Sequence, residues 1–445
     1  MAGVKGLIRN HAIVVGGAHS GLLAARVLAE HFDRVTIVER DRLGPDTTFR
    51  AGVPQGYHPH FLLARGAQII AELFPGLLEE IAESGSPFYD YGDNFRLRFP
   101  SGWTPKTVTG IRIQGFSRPF LEQRIRARVL DLDNVALIDG FTVDRLLFDD
   151  PAGAVAGLAG RDTAGVERSL SADAVVVATG RGSKLEQWLR NAGLPAPPAK
   201  SIDVKVSYTS RLYQGPPDDG WKVTFAYVYA PYTRRGGGVL ELESGTSMAL
   251  AMGIGDEGCP PEEKQFSEFA ESLPFSAMAD YIAGHEPMSD LHRFVDHGDW
   301  WSQVHRMRRW PEGLLVAGDA LCRFNPIYAQ GLTVGALHAR ALATTLGRDG
   351  GARDYHRRAA RASVTPWLMA SSSDLMWEGG KGAGLLARLS HWHLGRVITR
   401  MSEDADLFRR FALVQHMLSG PATLSTPGVL WRLARRPGSP GRRQA

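Results

Sequence analysis

Ala12-Ile13-Val14-Val15-Gly16-Gly17-Ala18-His19-Ser20-Gly21 is the stretch on which the fold turns. An apolar run, mostly β-branched, goes straight into glycine, the pattern of a buried parallel strand that ends in a tight turn. Residues 19–31 then carry Leu22, Leu23, Val27 and Leu28 at helical spacing, and a second apolar run, Val35 to Val38, ends at Glu39. Together they predict a β-α-β unit. Against G-x-G-x-x-G, Gly16 and Gly21 are the first and third glycines, and Ala18 takes the second place. Gly16 permits the turn, a small residue at 18 lets backbone approach a pyrophosphate, and Gly21 lets the helix pack on the strand. Free N–H groups around Ser20 and Gly21 would face the phosphates. Glu39, 18 residues beyond Gly21, can accept from ribose hydroxyls and would repel a 2′-phosphate, and Arg40 beside it is counted with the same site. The reading is a dinucleotide site that suits FAD or NAD and not NADP.

The bulk of the chain fits one interleaved unit or two domains. It has 445 residues, 44% of them hydrophobic and 22% charged. The formal net charge is +4, but Arg432, Arg435, Arg436, Arg442 and Arg443 sit in an acid-free C-terminus. Without them the body is close to neutral, so no nucleic-acid face is expected. Cys259 and Cys322 are the only cysteines, too few for a disulfide framework or a thiolate metal site. The N-terminus, MAGVKGLIRNH, has no long apolar stretch, and no apolar run reaches 18 residues. The expectation is a cytoplasmic protein with neither secretory leader nor transmembrane helix.

Working outward from the turn, 58–84 and 117–131 read as helical, 135–139, 141–148 and 154–159 as short strands, and 174–177 as another buried strand. Residues 203–253 change character: they alternate like strands and are rich in Tyr208, Tyr213, Phe225, Tyr227 and Tyr229. Leu314 to Ala317 returns to a buried parallel strand, 331–347 to a helix, and 352–434 is helical. The expected fold is α/β: a Rossmann-like dinucleotide-binding domain (1–200 and 306–350) interleaved with a mainly antiparallel substrate domain (201–305), a C-terminal helical region (351–434) and a disordered basic tail (435–445).

A second signature favours FAD. Gly313-Leu-Leu-Val-Ala-Gly-Asp319-Ala320 is followed by Phe324-Asn325-Pro326-Ile327-Tyr328-Ala329-Gln330-Gly331-Leu332. It resembles the G-D motif of FAD-dependent monooxygenases of the aromatic-hydroxylase class. The resemblance implies that Asp319 binds the ribityl chain and that backbone around Pro326, Gly331 and Leu332 lies along the flavin pyrimidine edge. Ser117-Arg118-Pro-Phe-Leu121-Glu122 is similar to the R-x-x-L-E/D stretch of that class, which makes Arg118 an FAD contact, and Val143 falls where the class meets adenine. Arg50-Ala-Gly-Val-Pro-Gln-Gly-Tyr-His58-Pro-His60, Ala178-Thr-Gly-Arg181-Gly-Ser183-Lys-Leu-Glu-Gln-Trp188-Leu and Phe324-Asn-Pro-Ile-Tyr328 look like actinobacterial FAD epoxidases of polyether assembly. This likeness spans roughly residues 10–350 and is looser over 200–300.

The resemblance implies insertion of one oxygen atom from O2, through a flavin C4a-hydroperoxide, into an apolar polyketide or terpenoid, with alkene epoxidation ahead of aromatic hydroxylation. A flavin-dependent halogenase is less favoured, since neither Trp221-Lys222 nor Trp300-Trp301 fits W-x-W-x-I-P. A prenyl-chain reductase and a non-catalytic FAD-binding protein share the fold and rank behind the monooxygenase. Where classical members carry D-G, this chain has Arg181-Gly182-Ser183. NAD(P)H therefore reduces the flavin directly or through a separate flavin reductase. No catalytic acid–base pair is legible. Arg50, His58 and His60 are candidates near the flavin; the histidines read equally as helix-start and surface polar residues, and Arg50, whose alternative is a solvated loop residue, is read first as near the flavin or phosphates; no carboxylate or cysteine partners the histidines, so no metal is expected. Tyr208, Phe225, Tyr227 and Tyr229 are the expected substrate residues.

Overall fold

The computed structural model describes residues 9–44, 49–149, 153–377 and 383–434. The basic tail 435–445 lies outside the described residues. Arg432 does not belong with it: it sits on the Pro427–Ala434 helix and pairs with Asp404 at 2.8 Å.

The first layer is a parallel sheet in the order Leu314–Val316, Ala174–Val177, His11–Val15, Arg34–Val38, Val135–Ile138. Ala12–Val15 and Ala174–Val177, at its centre, are wholly apolar because both faces are covered. The His19–Leu28 helix lies against the Gly331–Leu346 and Arg118–Leu130 helices. A three-stranded antiparallel sheet, Phe141–Phe148, Val155–Asp162 and Glu167–Ser171, attaches beside it.

The second layer is an eight-stranded sheet, and it corrects the expected boundaries. Its spine is Ala199–Gln214, paired antiparallel with both Thr246–Ile254 and His292–Ser302. Arg235–Glu241 and Val223–Ala226 extend it. Beyond them Phe95–Phe99 joins Val223–Ala226 in parallel, and Gly102–Trp103 closes that edge; Cys322–Arg323 forms the other. Strands from inside 1–200 and 306–350 are thus built into the sheet assigned to 201–305. The expected α/β class, with interleaved sheets and C-terminal helices, is the observed one.

Strand periodicity sorts the aromatics of this sheet. Tyr208 and Ser210 face the parallel-sheet domain, whereas Thr209 and Tyr213 face the other way, Thr209 Oγ1 donating to the Cys259 carbonyl and Tyr213 packing with Phe266 and Tyr281. The inward face and the C-terminal helices share one apolar core with Phe95, Leu97, Phe225 and Phe408. No helix among the described residues is long and apolar enough to cross a membrane.

Candidate functional site

A continuous cavity of about 440 Å³ runs from the turn after the first strand to the inner face of the eight-stranded sheet. Its polar half is made by the two sequence signatures. Gly16, Ala18, Ser20, Glu39, Arg40, Arg118, Val143, Asp319, Pro326, Gly331 and Leu332 all line it. Gly21 does not; its role is packing, because a Cβ there would collide with the Gly16 carbonyl. Gly16 has φ +108°, and a Cβ would stand 2.6 Å from the Ala178 carbonyl oxygen, so only glycine fits.

The Glu39 carboxylate is buried, with Oε2 accepting from the Gly17 N–H at 2.7 Å and Oε1 from the Asp41 N–H at 3.0 Å. Arg50 corrects the sequence expectation. It lies behind the cavity wall, not in the cavity, and binds Glu39 at 3.1 Å and Glu122 at 3.2 Å. Arg118 holds the other Glu122 oxygen at 2.7 Å. Burial alone would raise the Glu122 carboxyl, but Arg118 and Arg50 outweigh it and hold it at about 2. Arg50 is therefore a clamp between the turn and the Arg118–Leu130 helix. Its signal in sequence was absent, since its partners are scattered.

Several features fit FAD. Thr179 Oγ1, Gln330 Oε1 and His19 Nδ1 are buried, face this region and have no partner among the described residues, and a bound ligand rich in hydroxyls, amides and carbonyls would satisfy them. The Gly331–Leu346 helix begins without a side-chain cap or an acid in its first turn, so its positive end stays open to the flavin N1–C2=O edge; at the His19–Leu28 helix Glu122 Oε1 accepts the His19 N–H at 3.2 Å, which leaves the N–H groups of Ser20 and Gly21 for phosphate. Asp319 is set by its neighbours. His338 Nδ1 accepts from the Gly318 N–H at 3.1 Å, and Arg181 Nε stands 3.5 Å from Asp319 Oδ2. Arg181 also pairs with Asp296 and donates to the Phe324 carbonyl at 3.1 Å. It thus ties the two sheets together where classical members of the resembled class carry an aspartate.

Behind the 325–328 loop lies a carboxyl pair that sequence reasoning missed. Asp299 Oδ1 accepts from the Asn325 N–H at 2.8 Å; Asp374 accepts from Asn325 Nδ2 at 3.0 Å and Tyr328 OH at 2.6 Å. Burial first, and then the neighbouring Asp374 carboxyl, push the Asp299 carboxyl well up, and the pair anchors the loop through these hydrogen bonds.

The apolar half is lined by Phe95, Leu97, Tyr208, Phe225, Tyr227 and Met252, among others. Tyr229 does not line it. The strand ends at Ala226, and the chain turns so that Tyr229 stacks on His391 and Tyr232. His58 and His60 both line the cavity where its halves meet. His58 Nδ1 meets Ser210 Oγ at 2.7 Å, and His60 Nδ1 donates to the His58 carbonyl at 2.9 Å. Burial holds His58 at about 4 and His60 at about 3, so both are neutral imidazoles. Among the described residues no cluster of three or more His, Cys, Asp or Glu could hold a metal. Sequence reasoning also missed Tyr91, Gln415 and His416, which close the cavity from the C-terminal side; a helical period carries no mark of them.

No family model matches this chain. It is 31% identical over 394 residues to Protein Rv3254 of Mycobacterium tuberculosis, covering 84% of this chain and 82% of that one. Solved structures share the fold at lower identity. A flavoprotein/dehydrogenase from Cytophaga hutchinsonii matches with TM-score 0.66 at 14% identity, over 95% of each chain. The p-nitrophenol 4-monooxygenase PnpA from Pseudomonas putida matches with TM-score 0.64 at 16% identity, over 93% of this chain and 98% of its own. The flavin-dependent brominase Bmp2 matches with TM-score 0.58 at 15% identity, over 95% of this chain and 93% of its own.

Proposed function

We propose that this chain, which belongs to one family with the Mycobacterium tuberculosis protein Rv3254, is an FAD-dependent monooxygenase that inserts one atom of O2 into an apolar polyketide- or terpenoid-type intermediate by epoxidising an alkene. The observation that carries the reading is the single cavity with two chemically distinct halves, one fitted to a dinucleotide and one apolar, meeting at His58 and the 325–330 loop. Bound FAD supplies the activation of O2 to an electrophilic oxygen. The chain's own residues bind and orient: Glu39 and Asp319 offer carboxylates to hydroxyls, the Gly331–Leu346 helix turns its positive end to the pyrimidine edge, and the sheet excludes water from the reacting alkene.

The side chains favour an alkene over a phenol. Phenol hydroxylation gains from a base, and the histidines here are too depressed to be strong ones. Halogenation is less well supported, because Lys184, the lysine among the described lining residues, stands in the adenine part near Val143. Electrons come from NAD(P)H, directly or through a flavin reductase.

Turnover under labelled oxygen gas tests the reaction: the product should gain a single labelled atom, and a product with no label or with halogen would end this reading. A rearranged product remains compatible, since an epoxide can open. The apolar half is tested by substitution. Phe225→Ala should raise KM by roughly tenfold or more, on the scale of a lost aromatic contact, with FAD content kept. Tyr229→Phe should leave both unchanged, because its ring faces His391. Equal effects of the two would mean that the substrate lies elsewhere.

A further inference from the structure

Resting on the reading of the apolar half as the substrate chamber, we infer that the substrate carries a neutral hydrogen-bond-accepting oxygen, of the carbonyl class, bound by His416. His416 follows the Ala405–Gln415 helix and lines the cavity. Its Nδ1 accepts the Ala64 N–H at 3.2 Å, at the uncapped start of the Ala64–Leu73 helix. An acceptor nitrogen there puts the ring proton on Nε2. Nε2 is buried and has no partner among the described residues. Burial holds this imidazole at about 3, so it is a fixed neutral N–H donor and not a cation.

The neighbouring polar groups leave that donor unanswered. Tyr91 OH donates to Gln415 Oε1 at 2.8 Å, and Gln415 Nε2 donates to Tyr227 OH at 3.2 Å. Tyr91 and Tyr227 are also within hydrogen-bonding reach of each other, so each phenol proton has an acceptor inside the trio. Tyr208 OH also lines this half without a partner, but it stands beside His58 and Arg181, where the two halves meet. A buried donor with no acceptor is costly, so an oxygen acceptor from the ligand is favoured at that point. A carboxylate is not: of the cations lining the cavity, Arg118 and Arg181 are ion-paired, while Arg40 and Lys184 stand near Glu39 and Val143. A ketone, ester, amide or quinone carbonyl fits the donor without bringing a charge.

The test uses the FAD-loaded protein and a matched pair of probes, 2-acetylnaphthalene and 2-ethylnaphthalene, by equilibrium dialysis. The ketone should bind roughly tenfold more tightly than the hydrocarbon, the effect of one buried hydrogen bond. His416→Phe should bring the ratio to about one with hydrocarbon affinity kept. His416→Gln, which keeps an acceptor for Ala64 and a donor for the ligand, should preserve it. A second readout needs no variant: the carbonyl stretch of the bound labelled ketone should lie below its value in hexane. A wild-type ratio near one, a ratio unmoved by His416→Phe, or a hexane-like carbonyl stretch overturns the inference while leaving the chamber intact. If neither naphthalene binds, the chamber reading falls with it.

Discussion

Gly21→Val is expected to purify without FAD, its cofactor content down at least tenfold and its melting temperature lowered. The Cβ at 21 would collide with the Gly16 carbonyl and stand 3.3 Å from Val14 Cγ1. Neither neighbour can give way, because both belong to the buried His11–Val15 strand and the tight turn that follows it at the cavity. Forcing extra carbon into such a contact costs about 1–3 kcal/mol. The helix can yield only by moving off the strand, which takes the N–H groups at Ser20 away from the phosphates, so the loss of FAD exceeds what the stability change alone would cause. Gly56→Ala is the control: its Cβ would meet only Pro119 Cγ at 3.6 Å, and both FAD content and melting temperature should hold. Absorbance at the flavin bands and a thermal melt read both. A yellow Gly21→Val protein would remove the turn from the site.

The second large effect is acid sensitivity. His19, His58 and His338 are held at about 4, and His60, His356 and His416 at about 3, by burial first in every case. An exposed histidine titrates near 6.5. The folded pKa lies below the unfolded one, so above 6.5 neither state is protonated and stability is flat. As pH falls through 6.5 the unfolded chain takes up protons that the folded one refuses, and stability drops until the folded values are reached. Each group contributes up to about 1.4 kcal/mol per pH unit. Together they can remove about 8 kcal/mol per unit, against a total stability of about 5–15 kcal/mol. The urea midpoint should be level from pH 8 to 7 and fall steeply between 6.5 and 5. FAD should leave over the same range, because its site exists only in the folded chain and unfolding empties it. A midpoint unchanged down to pH 5 would contradict this.

What the sequence revealed follows from how local each constraint is. The turn at 16–21 was legible because each position answers to its immediate backbone. The placing of Asp319 just beyond a buried strand was legible, because Leu314 to Ala317 is an unbroken apolar run. Arg50 was not, since its partners Glu39 and Glu122 come from two other elements. Tyr229 keeps the alternation of Phe225 and Tyr227, so periodicity alone placed it in the chamber; what defeats the pattern is the end of the strand at Ala226 and the hydrogen bond from the Tyr229 N–H to Thr233 Oγ1. Gln415 and His416 reach the cavity only because the Ala405–Gln415 helix ends against the start of the Ala64–Leu73 helix, a contact that no local pattern announces.

The parallel pairing of Phe95–Phe99 with Val223–Ala226 bears on how the protein is made. Roughly 120 residues separate these strands. At about 5–20 residues per second on the ribosome, Phe95, Leu97 and Phe99 emerge on the order of ten seconds before their partner exists. Through that interval an aromatic strand with unpaired N–H groups is open to other nascent chains. Slowing translation after this segment would lengthen the exposure, whereas holdase chaperones that bind short aromatic stretches would protect it. Soluble yield should therefore respond to chaperone supply and growth temperature more than to the final stability of the fold.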